Sequence, residues 1–315
     1  MRQVTIGLCV KNAEKTIQDT LDSIMNQDFS HENMEMVVVD GCSKDRTMDI
    51  VVNAISKTDI RAKVYCDEGK GLSTARQMVV DNARGEYIVW VDGDVVLSKD
   101  FVRRQLDFIS KNPDVGLVIG QYEHIELKGE LVSNIVSLYM SLLRIVHFGA
   151  TTSKTAAIKE VNGFDKRIKG ASEDMDIARR MVLAHWKLAI NSKAKFFHKQ
   201  KGTIRDLVNR GVWYGYGGHF MGHKYEALIK IPYRLPLIYF AWGLKLSFEA
   251  YRKYRKKKSF LIPIACSFFS IGWCLGFILG HIHQYGHSIK DHEIKKERTL
   301  IAVKEVQKML TAGGH

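Results

Sequence analysis

The chain has 315 residues, of which 46% are hydrophobic and 26% are charged, and it carries a net charge of +13. Such a chain can hold one large or two ordinary globular domains, and this balance of apolar and charged residues excludes a disordered protein. Its five cysteines have neither CxxC nor zinc-finger spacing, and an odd number of them behind an N-terminus unlike a secretion signal predicts reduced thiols in a cytosolic environment.

Strands and helices alternate along the first part of the chain. Apolar, β-branched runs predict strands at Val4–Val10, Met36–Val39, Ala62–Cys66 and Glu86–Val91. Helical spacing of apolar residues predicts helices at Ala13–Met25, Met48–Ser56 and Ser73–Ala83. Farther on, a strand is predicted at Leu117–Gly120 and a helix at Leu131–Phe148. Because this alternation indicates βαβ units, the predicted fold class is α/β, with a mostly parallel sheet covered by helices on both faces.

Acidic residues follow two of these strands. The strand in GEYIVWVDGDV ends at Asp92 and Asp94, and the second strand ends at Asp40. Ligands of open α/β sheets bind beyond the carboxyl ends of the strands, so these carboxylates are predicted to face one crevice. Asp92 and Asp94 are suited to holding Mg²⁺ or Mn²⁺ against a phosphate, and Asp40 to accepting hydrogen bonds from a nucleobase or ribose. The alternative is that each acid only forms a turn or caps a helix.

A second group of acids precedes a helical stretch in the middle of the chain. Ser172 is followed by three acids in four residues, which are Glu173, Asp174 and Asp176. Ser172 is suited to cap the helix, and acids in a first turn favour the helix dipole, which accounts for at least one of the three. The functional interpretation is that Asp174 removes a proton from an attacking hydroxyl, a role that contributes roughly 10²–10⁴-fold in rate.

In order and spacing, these segments resemble the family-2 glycosyltransferases, inverting enzymes of the GT-A fold that use nucleotide sugars. The similarity covers about residues 2 to 220, and its blocks are VTIGLCVKNAEKTIQDTLDSIMNQ, VVVDGCSKDRT, GLSTARQMVVDNARGEYIVWVDGD and NGFDKRIKGASEDMDIARRM. The resemblance implies Asp174 as the catalytic base and Asp94 as the metal ligand, with Mg²⁺ or Mn²⁺ as cofactor. It also implies a nucleotide-sugar site formed by Val10, Asn12, Asp40, Arg76, Asp92 and Glu173.

The chain departs from the family pattern at several positions. Cys9 stands where the family usually has proline, and Lys11 where it has an aromatic residue. The Gln-x-x-Arg-Trp motif of processive members is absent, which argues against a polymerase of the cellulose or hyaluronan type. Arg210 and Trp213 lie in the comparable region and are candidates for an acceptor platform or lid. For Trp213 the alternative is core packing.

The C-terminal part of the chain combines apolar and basic segments. Leu235–Ala250 is short for a membrane span and is predicted to be an interfacial helix, followed by the basic run YRKYRKKK. Phe260–Leu279 is uncharged and long enough to cross the ~30 Å hydrocarbon core of a bilayer. Basic residues beside a span mark the cytoplasmic side and attract anionic lipids. A buried helix of a soluble domain and a two-span hairpin are the alternatives.

These segments predict four regions. They are a GT-A domain (1–225), an amphipathic interfacial region with a basic cluster (226–258), a transmembrane helix (259–282) and a charged helical tail (283–315). The predicted location is the cell membrane, with the catalytic domain in the cytoplasm. His281, His283 and His287 are either metal ligands or, as the favoured interpretation, polar residues at the end of the span.

The predicted function is that of a hexosyltransferase. It would move a sugar from a UDP- or GDP-sugar to a hydroxyl or phosphate of a lipid-linked or membrane-proximal glycan acceptor, with inversion. One alternative is a nucleotidyltransferase, which requires a glycine-rich basic loop where this chain has CVKNAEK. Another is a catalytically silent, membrane-tethered protein of the same fold. Nucleic acid is not an expected partner, because the basic residues adjoin a lipid-like helix and not an aromatic-interleaved patch.

Overall fold

The computed structural model describes residues 3–143, 148–199, 202–225, 234–289, 304–306 and 308. Eight strands of this part of the chain form one sheet. They are β1 (Val4–Val10), β2 (Met34–Asp40), β3 (Arg61–Cys66), β4 (Tyr87–Asp92), β5 (Val95–Leu97), β6 (Val115–Tyr122), β7 (Ala150–Lys154) and β8 (Lys187–His198). Their order across the sheet is β3-β2-β1-β4-β7-β6-β8-β5.

The first four strands form the parallel half of the sheet. β1 pairs in parallel with both β2 and β4, and β2 pairs in parallel with β3. Every residue of β1 is buried, as expected for a central strand covered on both faces. The register sets Val10 opposite Asp40 and Cys9 opposite Asp92, so the carboxyl ends of β1, β2 and β4 meet at one edge. The predicted α/β class with its parallel strands is confirmed.

The second half of the sheet is mixed. β7 is antiparallel to β4 and β6, and β5 is antiparallel to β8. Alternation of strands and helices does not predict these antiparallel pairs. Only Gly93 and Asp94 separate β4 from β5, although β5 lies at the far edge of the sheet. Two residues reach only a few ångströms, so the sheet must curl until that edge comes back beside the end of β4.

Helices cover both faces of the sheet. They are α1 (Ile17–Met25), α2 (Thr47–Ile55), α3 (Leu72–Asn82), α4 (Phe101–Lys111), α6 (Thr155–Glu160) and α7 (Glu173–Leu183), while α5 (Leu131–Met140) packs in a third core. Neighbouring residues of β1 point into two separate cores. Leu8 packs into the core beneath α1, α2 and α4, and Cys9 into the core beneath α3, α6 and α7.

Three predicted helix boundaries differ from the structure by more than one residue. α1 begins four residues later than predicted, because Ala13 lies in a turn where its N–H donates to Thr47 Oγ1 at 2.7 Å. α5 ends at Met140, before the predicted end at Phe148, and residues 144–147 lie outside the described part. α7 begins at Glu173 and not at Ile177, where the helical stretch was predicted to begin. Glu173, Asp174 and Asp176 therefore lie within its first turn.

Three long helices follow the sheet: α8 (Ile204–Lys224), α9 (Pro236–Tyr254) and α10 (Ile262–Ile282). α8 and α10 touch through glycines. A Cβ atom on Gly215 would overlap the carbonyl oxygen of Trp273, and one on Gly276 would overlap the carbonyl oxygen of Val212. Such close contact between helix backbones requires residues without side chains.

Apolar side chains on α9 and α10 remain exposed. The exposed fraction is 84% for Leu237, 59% for Phe248 and 54% for Ile278. Within the described residues, Lys257–Ile282 is the one helical segment long and apolar enough to cross a membrane, and its most apolar 18 residues have a mean hydropathy of 2.0. It overlaps the predicted span at 259–282. The predicted helical tail lies outside the described residues, except for 304–306 and 308.

Candidate active site

The ends of β1 and β2 bring the first predicted site residues together. The N–H of Gly41 donates to the carbonyl oxygen of Val10 at 2.8 Å, which joins the two strand ends. Asn12 has a left-handed backbone with φ 48°, and its side-chain oxygen accepts from the N–H of Lys44 at 2.8 Å. Val10 and Asn12 therefore lie directly beside the end of β2.

Asp40 lies buried at the end of β2 and organises the loop that follows. Its carboxylate accepts from the N–H of Ser43 at 3.0 Å and from the hydroxyl of Ser43 at 2.6 Å. This is the turn-forming role named above as the alternative. A carboxylate has lone pairs beyond these two bonds, so a contact to a nucleoside remains compatible with the turn and stays a prediction.

Asp67 is a further buried acid at this edge of the sheet, and it was not among the predicted site residues. It follows β3 directly and is only 3% exposed. Its carboxylate accepts from the N–H groups of Gly69 and Gly71 at 2.8 and 3.0 Å, and its own N–H donates to the carbonyl oxygen of Asp40 at 3.0 Å. Asp67 could have been predicted as a site residue, because it directly follows a predicted strand, as Asp40 does.

Arg76 of α3 links two acids that are far apart in the sequence. Its Nη2 donates to Asp92 Oδ1 at 3.1 Å, and its Nη1 donates to Glu173 Oε1 at 2.5 Å. The guanidinium is buried and lies 5.1 Å from the ring centre of Phe148. Because the guanidinium is a permanently charged planar fork, it can hold both carboxylates at once. The contact ties the end of β4 to the start of α7.

The start of α7 carries the predicted base. Ser172 has a left-handed backbone with φ 90° and makes no side-chain capping bond, so the prediction that it caps the helix is wrong. Burial raises the pKa of Asp174, and the charge of Asp92 raises it further, while Arg76 acts in the opposite direction. Asp174 therefore lies within electrostatic reach of the Asp92–Arg76 pair.

Glu173 is buried beside that base. Burial raises its pKa, against the opposing charge of Arg76. Its second oxygen, Oε2, is buried and has no hydrogen-bond partner among the described residues. A buried unpaired acceptor is costly, and such atoms are found where a ligand or solvent completes a site.

Asp94 contacts His198, which was not among the predicted site residues. β5 pairs with β8 so that Val95 lies opposite His198, and Asp94 immediately precedes Val95. Asp94 Oδ1 lies 2.7 Å from His198 Nε2. A carboxylate oxygen and an imidazole nitrogen that converge at a strand end are a donor set suited to a divalent cation. His198 ends β8, whose mixture of polar and apolar residues did not predict a strand.

Asp176 has a structural role. Its Oδ1 accepts from the hydroxyl of Tyr225 at 2.6 Å and lies 2.7 Å from Lys224 Nζ, while its Oδ2 accepts from Arg180 Nη2 at 2.6 Å. Lys224 Nζ also lies 2.6 Å from Asp165 Oδ2. This network fastens the end of α8 to α7.

α8 places two further candidates near the start of α7. Trp213 is 38% exposed, so core packing does not describe it, and its carbonyl oxygen accepts from the N–H of Ala171 at 3.3 Å. Burial raises the pKa of Tyr214, and Asp174 adds to the rise while Arg210 opposes it. Tyr214 therefore lies near the predicted base.

The curled mixed sheet with acids at its strand ends has the GT-A arrangement. A family model described as glycosyl transferase family 2 matches residues 5–184, more than half of the chain. The chain therefore belongs to glycosyl transferase family 2, and the predicted family and enzyme class are confirmed.

Several curated relatives carry glycosyltransferase names. TuaG of Bacillus subtilis, named for teichuronic acid biosynthesis, is 38% identical over 99 residues, which cover 31% of this chain and 38% of TuaG. The poly(ribitol-phosphate) beta-N-acetylglucosaminyltransferase TarS of Staphylococcus aureus is 32% identical over 119 residues, 38% of this chain and 21% of TarS. The poly-beta-1,6-N-acetyl-D-glucosamine synthase of Staphylococcus epidermidis is 24% identical over 69% of this chain and 54% of its own length. The chain spans less than two thirds of each relative.

Solved structures share the fold. A mannosyltransferase of Pyrobaculum calidifontis in complex with GDP-Man and Mn²⁺ has a TM-score of 0.58 at 18% identity, over 98% of this chain and 87% of that one. S. aureus TarS 1-349 in complex with UDP has a TM-score of 0.51 at 16% identity, over 90% of this chain and 92% of that one. These likenesses confirm the GT-A fold. The family match favours a glycosyltransferase over the nucleotidyltransferase alternative.

Proposed function

We propose that the protein transfers a sugar, with inversion, from a UDP- or GDP-sugar to a hydroxyl or phosphate of a lipid-linked or membrane-proximal glycan. The observation that carries this proposal is the Arg76 bridge. Because it ties Asp92 to Glu173, it holds Asp174 at the edge where the strand ends meet. The UDP and GDP-Man in the two neighbouring structures support a nucleotide-sugar donor.

The proposed chemistry is a single in-line displacement. The acceptor hydroxyl attacks the anomeric carbon, its proton moves to the Asp174 carboxylate, and the bond from the anomeric carbon to the diphosphate oxygen breaks. The nucleoside diphosphate leaves from the opposite face, so the configuration inverts. A carboxylate whose pKa is raised holds a proton better than an ordinary aspartate, which suits a general base.

Asp94 and His198 would hold the divalent cation. When bound, the cation stabilises the negative charge of the diphosphate leaving group. The imidazole nitrogen favours Mn²⁺, because Mg²⁺ prefers oxygen ligands alone. Arg76 is buried and its charge is paired with two carboxylates, so we assign it a positioning role. Lys11, exposed directly after β1, is the proposed contact to the donor phosphates.

The acceptor class follows from a proposed location at the cytoplasmic face of the cell membrane. Support comes from the exposed apolar faces of α9 and α10 and from the basic run between them. Apolar faces rimmed by basic residues suit an anionic bilayer, and we place both α9 and α10 in its interface, because residues at both ends of α10 contact the catalytic domain. The donor would then be reached from the cytoplasm and the acceptor from the lipid surface.

The test is release of nucleoside diphosphate from a panel of UDP- and GDP-sugars, with Mn²⁺ or Mg²⁺ and a membrane lipid extract. Asp94→Ala and Asp174→Asn are compared with Asp107→Asn, a change at an exposed acid of α4. We expect metal-dependent release from one donor, lost in the two site variants and kept in the control. Sugar recovered in the organic phase identifies a lipid acceptor. No release from any donor by folded protein with lipid present would refute the proposal.

A further inference from the structure

Histidines that are far apart in the sequence converge where α8 ends beside α10. His219 and His223 lie one turn apart on α8, and their ring centres are 4.8 Å apart. His287, in the turn after α10, has its ring centre 5.5 Å from that of His219 and 4.6 Å from that of His223. One ring nitrogen from each of these three residues lies within 4.8 Å of the other two. His281, on the last turn of α10, has its ring centre 5.5 Å from that of His287.

The central ring is held in a form that can bind a metal. His219 is 3% exposed, and its Nδ1 lies 2.7 Å from the carbonyl oxygen of Tyr285. A carbonyl oxygen only accepts, so Nδ1 carries the proton and Nε2 keeps its lone pair. Metal-binding histidines are oriented in the same way, by a backbone carbonyl on the nitrogen that does not touch the metal.

Two glycines allow the chain after α10 to fold back over α8. A Cβ on Gly280 would lie 2.7 Å from the Cβ of His219, closer than side chains pack. Gly286 has φ 96°, a conformation that favours glycine, and a Cβ there would lie 3.2 Å from the Cβ of His223. The backbone of this turn therefore lies directly on the two helical histidines and brings His287 to them.

We propose that His219, His223 and His287 bind a divalent transition metal ion of the zinc class. Three imidazoles with an open fourth position are a recurrent zinc ligand set, and His281 or water would complete it. Zn–N bonds of about 2.1 Å place tetrahedral nitrogens about 3.4 Å apart, so small side-chain rotations close the site. The exposed ring of His287 is free of the core and allows such rotations. Of the three histidines singled out in the tail, His283 lies apart, against Tyr216.

Such a metal would restrain residues 167–169, which lie in the segment before the proposed base. The carbonyl oxygen of Tyr285 accepts a hydrogen bond from His219 Nδ1, and the hydroxyl of Tyr285 accepts one from the N–H of Lys169. The same hydroxyl donates to the carbonyl oxygen of Arg167 at 3.1 Å. Fixing the turn to α8 therefore fixes the segment that precedes Glu173. This site is separate from the Asp94–His198 pair and does not depend on the proposed reaction.

The experiment measures Zn²⁺ binding to the full chain, purified in detergent without a histidine tag and stripped with a chelator. Asp94→Ala serves as the parent, so that the Asp94–His198 pair does not contribute. Titration calorimetry gives affinity and stoichiometry, and the visible spectrum after Co²⁺ loading reports tetrahedral nitrogen ligation. His223→Ala and His287→Ala are compared with His283→Ala in this parent.

We expect one Zn²⁺ per chain in the parent and in His283→Ala. Both His223→Ala and His287→Ala should weaken binding by more than about tenfold, since even indirect partners of ligands contribute that much. His287 is exposed, so its variant should stay folded even where a change at buried His219 does not. Absence of stoichiometric Zn²⁺ in the parent, equal affinity in all variants, or an equal loss in His283→Ala would each overturn the proposal.

Discussion

The candidate site depends on one buried cation shared by two acids. Arg76 is 3% exposed and contacts Asp92 and Glu173, which come from different elements. A buried charge is tolerated only when it is paired, so each partner depends on the other two. This makes Arg76 a positioning residue for the proposed base at Asp174, and it makes the trio sensitive to any single change.

Removing this cation should destabilise the fold. Arg76→Met leaves the Glu173 carboxylate buried without its partner, and we expect a loss of about 3–5 kcal/mol in the free energy of unfolding. Adding Glu173→Gln removes the uncompensated charge, so the double variant should recover part of that loss. Chemical unfolding of the three proteins measures both effects. A double variant less stable than the single one would contradict the pairing.

Asp174 should set the acid limb of the pH–rate profile. The base must be deprotonated, so kcat/KM should fall as pH drops through its pKa, which burial and Asp92 raise above the ordinary aspartate value. Asp92→Asn removes the negative neighbour and should move this limb to lower pH, whatever its effect on the maximal rate. Asp174→Asn should cost about 10²–10⁴-fold in rate.

The control for these profiles is Asp107→Asn on α4, whose limb should coincide with that of the unchanged enzyme. Movement of the Asp92→Asn limb to higher pH would show that the titrating group is not Asp174.

The acids at strand ends could be predicted because the register of a parallel sheet brings those ends together. Asp40, Asp92 and Asp94 were found in this way. Their partners could not be found, because 97 residues separate Arg76 from Glu173 and no local pattern spans that distance. His198 was missed for a related reason, since it reaches Asp94 only through the curl of the sheet. The predicted side-chain cap at Ser172 is not formed, because the backbone there is left-handed, and the residue type does not predict that conformation.

At the scale of elements, an ion network holds α8 against α7. Lys224 is 2% exposed and lies between Asp165 and Asp176. Although burial alone would raise the pKa of Asp165, hydrogen bonds from Arg167 and Lys224 lower it below its ordinary value. The helical period predicted α7 but not α8, and it gave no sign that Asp176 serves packing while Asp174 lies two residues earlier in the candidate site.

Lys224→Met should lower the free energy of unfolding by about 1–3 kcal/mol at neutral pH, because it removes the buried cation that Asp165 and Asp176 share, while Arg167 and Arg180 still pair with them. The lowered pKa of Asp165 gives stability that is present above the ordinary aspartate pKa of about 3.9 and is lost as pH falls through the lowered value. The difference in Tm between the two proteins should therefore shrink on acidification.

Lys245→Met provides the comparison for this change. Lys245 is exposed and its Nζ lies 3.9 Å from Glu249 Oε1, so its removal should change Tm little. A Tm difference between Lys224→Met and the unchanged protein that stays constant down to about pH 3 would argue against the Asp165 linkage.

At the scale of the whole molecule, α9 and α10 form one apolar surface beside the catalytic sheet. If α10 lies in the bilayer, the protein should stay with membranes after washing with alkaline carbonate. Ile271→Asp with Ile278→Asp changes two exposed positions of α10, and each charge should cost about 2.5–3.5 kcal/mol in hydrocarbon. We expect this variant to be released by the wash.

The control is Ile204→Asp at the start of α8, where an exposed isoleucine lies outside the proposed bilayer contact. It should remain in the membrane pellet. Full release of the unchanged protein would mean that the apolar surface is covered by something other than lipid.

The glycine contact between α8 and α10 has a consequence for dissecting the enzyme. Every acid of the candidate site lies before residue 225, which invites expression of that part alone as a soluble catalyst. Its last helix, however, would then expose the backbone around Gly211 and Gly215, which α10 now covers. Such a fragment should aggregate through α8 and not behave as an independent unit. A soluble form is better sought by making the outer surfaces of α9 and α10 polar and leaving the inner helix contact intact.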